Sequence, residues 1–268
     1  MIAALPADPV IPALESRAVS VRLGGREVLA GIDLTLRPGE MVAVVGPNGA
    51  GKTTWLRALA GILPLDGGEV RVGGAPLATL SRRELARRLA FLPQETSTEF
   101  GITVADAVAM GRFAHLGALR SPGEADRRAV RDAMERADVG PLAARPLTQL
   151  SAGERRRVHL ARAIAQEASI LVLDEPTTAL DVGHACQVMD LLAGLARGGA
   201  AVVLSLPDLV LAMRGPTRAM LLDGGRVAEE GAPVEVLTSA AAQRAFGMPL
   251  VAIGSPPAIV PGRATVSH

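Results

Sequence analysis

Tyrosine is absent from this 268-residue chain, cysteine and tryptophan occur once each, and aromatic residues make up only 2%. So thin a supply of stacking faces argues against a module that binds single-stranded nucleic acid. The lone Cys186 excludes an internal disulfide and a cysteine-rich metal site, and is compatible with a reducing compartment. Neither sign of charge is in excess: 28 basic and 27 acidic residues leave +1, so no nucleic-acid partner is expected. Long hydrophobic runs are also missing. The most apolar stretch, 200–213, is broken by Pro207 and Asp208 and is too short to cross a bilayer. The N-terminus has no basic n-region and is interrupted by Pro6, Asp8 and Pro9, so it does not read as a signal peptide. Work at a membrane is therefore expected to go through a partner. The length suffices for a full α/β core in one or two domains.

Lysine is as scarce as cysteine. Lys52 is the only one, and it lies in Gly46-Pro47-Asn48-Gly49-Ala50-Gly51-Lys52-Thr53-Thr54, directly after the apolar run 41–45. Arginine presents a planar fork, whereas lysine delivers a compact charge on a flexible stem, which suits a phosphate. The segment fits G-x-x-x-x-G-K-[ST] between a buried strand and a helix, the context that the motif requires. Its glycines open backbone conformations in which successive N–H groups point inward at an anion, and the helix dipole adds to them. In that setting Lys52 reaches the β- and γ-phosphates and Thr53 offers its hydroxyl to Mg²⁺. An ordinary glycine-rich turn is disfavoured because pattern and context agree. Trp55 reads as core.

Residues 17–45 read as short strands punctuated by Gly24-Gly25 and Arg37-Pro38-Gly39, with a further strand at 67–72. Ser81 and Glu84 have capping-box spacing, and 90–94 reads as a strand ending at Gln94. From about 96 to 166 the pattern is mostly helical, with loops at 117–123 and 139–148, as for an inserted lobe. The apolar runs 170–173 and 200–204 flank a helix, as buried parallel strands should. A hairpin turn sits inside 220–227. Beyond Leu250 the chain is rich in proline and small residues and is expected to lie across the surface or fray.

Strand 170–173 runs into Asp174-Glu175-Pro176, which places two carboxylates at the edge where ligands of open α/β sheets bind. Asp174 suits Mg²⁺, and Glu175 suits a general base toward an attacking water. A solvated acidic strand end is the plainer alternative. Upstream, Leu150-Ser151-Ala152-Gly153-Glu154 precedes a helix and reads either as another capping box or as a second anion site. Arginines at 82–88, 127–131 and 155–157 read as solvated helix faces by default.

Together these segments resemble the ATP-binding cassette family over about residues 17–235: the phosphate loop, Gln94 as the Q-loop, Leu150–Glu154 as the signature, Asp174-Glu175, and Ala179-Leu180-Asp181 as the D-loop. The resemblance implies an α/β P-loop NTPase (RecA-like) core with an N-terminal antiparallel β subdomain and an inserted α-helical subdomain. One cassette domain would span 15–240, with the insertion at about 96–166 and a C-terminal tail at 241–268. It further implies ATP and Mg²⁺ as ligands, with Thr53, Gln94 and Asp174 at the metal and Lys52, Gln94 and Glu175 at the chemistry. A homodimer would bring Ser151, Ala152, Gly153, Glu154 and Asp181 of one copy to the ATP of the other. Polytopic permease subunits would dock on the helical lobe at the cytoplasmic face of the membrane. A periplasmic or lipid-anchored substrate-binding protein would be an indirect partner.

The chain departs from the family pattern at three places. Ala152 replaces the usual first glycine of the signature, no aromatic lies near Arg22 or Leu23 to stack on adenine, and Pro207 stands where a switch histidine is usual. Proline neither donates a hydrogen bond nor titrates, so slowed hydrolysis is an alternative reading. None of His115, His159, His184 or His268 is near that strand end in sequence. Stretches 88–94, 103–112 and 236–247 are similar to importer cassettes for iron chelates (siderophore or haem) and cobalamin. A DNA-acting cassette would need a long coiled coil that the chain lacks. A soluble accessory cassette is the remaining alternative.

Overall fold

The computed structural model describes residues 11–94, 101–116, 121–254 and 258–261. The chain opens with two long antiparallel strands, β1 (Leu14–Leu23) and β2 (Arg26–Leu36), joined by Gly24-Gly25. β3 (Met41–Val45) leads into α1 (Lys52–Leu59), followed by β4 (Gly67–Val72) and β5 (Ala75–Pro76). Next come α2 (Arg82–Arg88), β6 (Leu89–Leu92), α3 (Val104–Ala109), α4 (Glu124–Arg136) and α5 (Ala152–Ala165). β7 (Ile170–Leu173), α6 (Val182–Arg197), β8 (Ala201–Ser205), β9 (Arg218–Asp223) and β10 (Arg226–Gly231) complete the main sheet. α7 (Pro233–Thr238), α8 (Ala240–Phe246), β11 (Leu250–Ile253) and β12 (Ala258–Pro261) close the described chain.

Six strands form the central sheet in the order β10-β9-β3-β8-β7-β6, parallel except for β10 at one edge. β3, β7 and β8 are buried at every position, which is why they read as unbroken apolar runs. Because side chains alternate, each strand feeds two cores. Met41, Ala43 and Val45 join Leu171, Leu173 and the α6 residues Met189 and Leu192 on one face. Val42 and Val44 face Trp55, Leu56 and Leu59 of α1 and the inner faces of β1, β2 and β4 on the other. The second sheet, order β2-β1-β4-β5, is the expected antiparallel β subdomain. Trp55 is fully buried, as its apolar size requires.

α3, α4 and α5 enclose a third core of Val104, Val108, Ala133, Val139, Val158 and Ala161. Arg112 ties this lobe together from a buried position, pairing with Asp126 at 3.0 Å and Glu167 at 2.7 Å. The capping box at Ser81 and Glu84 is present at the start of α2. The expected loop at 117–123 lies partly outside the described residues, and the loop at 139–148 contains two short 3₁₀ turns, 140–142 and 147–149.

Of the two expectations for the chain beyond Leu250, lying across the surface or fraying, the described residues fit the first: β11 and β12 pair as a surface hairpin anchored by Leu250 and Ile259, each only 3% exposed. Both belong to the same core as Val236 and Leu237 of α7. Prolines are tolerated at strand ends, while a single apolar residue on each strand suffices to anchor a short hairpin.

Candidate functional site

β3 ends where its sheet neighbours also end, so the loop 46–51 emerges at the carboxyl edge of the parallel strands. Gly46 has φ 149°, and a Cβ there would fall 2.1 Å from the Leu222 carbonyl oxygen, so no other residue fits. The loop wraps a cavity of about 380 Å³ lined by Val28, Asn48, Gly49, Gly51, Lys52, Thr53, Thr54, Gln94 and Glu175. Gly51 caps α1 from the left-handed region, and no acidic residue occupies the first turn of that helix, which leaves its positive end facing the cavity.

Lys52 is 8% exposed, and its Nζ donates to the carbonyls of Gly46 at 2.7 Å and Pro47 at 2.9 Å. Burial lowers its pKa, and the carboxylates of Glu175 and Asp174 oppose that shift. The ammonium thus sits at the loop it is expected to serve, within the field of both acidic residues.

Asp174 is fully buried at the end of β7. Its Oδ1 accepts a 2.6 Å hydrogen bond from Ser205, and its Oδ2 has no partner among the described residues. A buried carboxylate oxygen left open costs free energy unless something meets it. Together with the Thr53 hydroxyl on the cavity wall, an open hard oxygen beside a phosphate-binding loop fits Mg²⁺, which takes few protein ligands and completes its shell from phosphate and water.

Glu175 adopts φ 49°, a left-handed conformation that costs a non-glycine residue free energy. Its N–H donates to Ser205 Oγ at 2.9 Å, and its Oε2 accepts from Thr178 Oγ1 at 2.9 Å. The strained backbone turns the carboxylate into the cavity while Asp174 stays behind it. Ser205 serves both residues from the neighbouring strand. The apolar run 200–204 stops one residue short of the end of β8 at Ser205, so hydrophobicity alone does not mark it. The signal was its place directly after Leu204, the register partner of Leu173.

The remaining candidates sit elsewhere. Pro47 contributes only its carbonyl to Lys52, and Ala50 is packed into the core beneath the loop. Ser151 caps α5 with a full capping box: its Oγ accepts from the Glu154 N–H at 3.2 Å, and its own N–H donates to Glu154 Oε2 at 2.7 Å. Ala152 opens the helix without a positive φ, so a Cβ is accommodated where glycine is usual. At Gly153 a Cβ would lie 2.9 Å from the Ala179 carbonyl oxygen, so the signature and the D-loop are packed against each other. Asp181 caps α6, accepting from the His184 N–H at 2.9 Å, and its Oδ2 lies 2.6 Å from His184 Nδ1. Ser151, Ala152, Gly153, Glu154 and Asp181 do not line the cavity around Lys52 of their own chain.

Pro207 follows β8 on the exposed surface, where it borders a cavity of about 230 Å³ with Leu209, Val210, Phe246, Met248, Leu250 and Ile259. His159 is buried on α5 with no partner for either ring nitrogen among the described residues, and burial together with Arg162, Arg156 and Arg155 pulls its pKa down to about 4. The solvated-face reading of 155–157 fails at Arg156, which is 6% exposed. Its spacing from Leu160 and Ala163 places it on the core-facing stripe of α5, a signal available in the sequence.

A family model described as ABC transporter matches residues 29–178. The hemin import ATP-binding protein HmuV of Streptomyces coelicolor is 45% identical over 91% of this chain and 87% of its own length. The cobalamin import ATP-binding protein BtuD of Halobacterium salinarum is 42% identical over 91% of this chain, which spans 61% of that relative. Among solved structures, a metal-chelate type ABC transporter in an inward-facing conformation superposes with a TM-score of 0.80 at 27% identity, covering 96% of this chain and 100% of the other. The dimeric cassette MJ0796 superposes at 0.74 with 28% identity over 82% of this chain and 98% of its own.

Proposed function

The chain belongs to the ABC transporter family and is an ATPase cassette, and from that premise we propose that it powers the import of haem. The observation that carries this reading is the near full-length similarity to a hemin import subunit on a fold shared with a metal-chelate transporter. Cobalamin is the second cargo, favoured by the similarity to a cobalamin import protein, and siderophore-bound iron belongs to the same chelate class. Among the described residues no helix is long and apolar enough to cross a membrane. The similarity to import ATP-binding proteins supports a peripheral subunit that works at the cytoplasmic face on polytopic permease subunits. A periplasmic or lipid-anchored binding protein delivers the cargo on the far side.

The cycle follows from the residues at the strand ends. The loop N–H groups of 46–54 and the Lys52 ammonium hold the β- and γ-phosphates of ATP. Thr53, Asp174 and Gln94 hold Mg²⁺, which when bound neutralises charge on the phosphate oxygens. Gln94 orients the attacking water, and Glu175, held by Thr178 and Ser205, accepts its proton. Two copies meet head to tail, so that Ser151, Ala152, Gly153, Glu154 and Asp181 of one close over the ATP of the other. Their position outside their own chain's phosphate cavity supports that arrangement, as does the dimeric cassette whose fold the chain shares.

Slowed hydrolysis is the second reading, because Pro207 stands where the family resemblance places a switch histidine. A side chain at this position can donate a hydrogen bond toward the γ-phosphate only if it has a donor, and proline has none. Pro207→His is expected to raise turnover of the ATP-loaded dimer roughly tenfold, the usual worth of one hydrogen bond. A wild-type rate already at the level of the histidine variant would refute this.

The cargo reading is tested by purifying the cassette from detergent extracts and reconstituting it with the polytopic partner that accompanies it. ATP-dependent haem uptake by those proteoliposomes is expected. Uptake of cobalamin alone would move the assignment to the second cargo, and the absence of any membrane partner would overturn the importer reading.

A further inference from the structure

α5 is shared by two cores: Val158, Ala161 and Ala165 pack inside the helical lobe, while Leu160 and Ala163 pack under the main sheet. From its second turn the helix sends Arg156 toward the ends of β6 and β7. Nη1 donates to the carbonyl oxygens of Pro93 at 2.6 Å and Gln94 at 3.0 Å. Nη2 donates to the carbonyl oxygens of Asp174 and of Glu175, the latter at 2.7 Å. Among the described residues Arg156 forms no ion pair, and its Nε has no partner.

Packing alone does not account for this. A buried guanidinium carries a desolvation cost that an apolar side chain of similar length avoids. What the fork supplies is geometry, because its donors are fixed relative to one another. β6 and β7 run parallel with Leu92 opposite Leu173, and their ladder ends with the Asp174 N–H donating to the Leu92 carbonyl at 2.8 Å. Past that bond the two chains have no further ladder, and the guanidinium spans them. The segments it joins carry Gln94 and Glu175, both on the wall of the phosphate cavity.

We propose that Arg156 is a positioning residue for hydrolysis, fixing the backbones of Gln94 and Glu175 to α5 so that Glu175 is held in place relative to bound ATP. This rests on the assignment of Gln94 and Glu175 to the attacking water. The first turn of the same helix carries Ser151 and Gly153, so one rigid element joins the water-activating end of its own site to the signature that closes the facing site. In a dimer the two ATP sites are thereby linked through Arg156 in each copy.

The test is steady-state ATPase kinetics and ATP affinity of the full chain with Arg156→Lys and Arg156→Met, beside Glu175→Gln. Lysine keeps the charge but loses the fork, and a drop in kcat of roughly fivefold is expected. Methionine keeps length without donors, and a drop of roughly 30-fold or more is expected. In both, ATP affinity stays within about twofold, because the loop and Lys52 hold the phosphates. Should the methionine variant fail to fold, the lysine variant carries the test, since its melting temperature can be compared with its kcat directly. A kcat within twofold of wild type in the folded variants overturns the proposal. So does a loss that appears in affinity and thermal stability together, with lysine no better than methionine. Wild-type turnover in Glu175→Gln would instead overturn the underlying assignment, whatever Arg156 does.

Discussion

Glu175→Gln is expected to lower steady-state ATP hydrolysis by roughly 10²- to 10⁴-fold, the usual worth of a placed general base, while ATP still binds. The amide keeps the size and the hydrogen bond to Thr178, so the cavity is preserved. It cannot accept the water's proton at neutral pH. The backbone strain at φ 49° is held by the Ser205 hydroxyl, not by the carboxylate, so the fold should not change. The variant should trap ATP between two copies, and sedimentation with ATP should show a dimer that wild-type protein loses as it turns over. Hydrolysis at the wild-type rate would remove Glu175 from the chemistry and pass the base to another group.

Lys52→Ala is expected to weaken ATP binding by roughly 10- to 100-fold, consistent with the loss of a charge-assisted hydrogen bond to phosphate, and to abolish measurable hydrolysis. The substitution removes the Nζ donor from the Gly46 carbonyl and leaves the Pro47 carbonyl only the Ala50 N–H at 3.2 Å, so the loop loses preorganisation as well as charge. Titration calorimetry with ATP measures the affinity. The composition supplies a second readout. Lys52 is the only lysine, so an amine-selective reagent can report on this side chain and the N-terminus alone. Saturating ATP should protect Lys52 from modification and leave the N-terminus reactive. Equal labelling with and without ATP would place the ammonium outside the nucleotide site.

Much of this site was legible because its parts are local. A contiguous run from 41 to 54 encodes strand, turn and helix start. The capping boxes at Ser81 and Ser151 span three residues each and formed as read. The groups that support the site were not legible in the same way. Ser205 acts on Asp174 from 31 residues away, across a strand pairing that no local pattern specifies. Arg156 sits in a run of three arginines that looks solvated until its helical face is matched with Leu160 and Ala163. The hairpin of β11 and β12 depends on two apolar residues nine positions apart finding one core, against a proline-rich composition.

The phosphate loop, the order of the motifs and the family are written in the linear sequence, because each depends on residues adjacent in the chain or on their spacing. The same sequence shows that Pro207 cannot supply a hydrogen bond. The expected division of Asp174 to Mg²⁺ and Glu175 to the water was also legible there, but the surroundings that separate the two side chains come from the fold. One is buried, tied to Ser205 and open at Oδ2; the other is turned out by a left-handed backbone into the cavity of Lys52. Those surroundings are what a linear motif does not carry, since desolvation and hydrogen-bond partners, which set what each carboxylate can bind, are fixed only at the folded sheet edge.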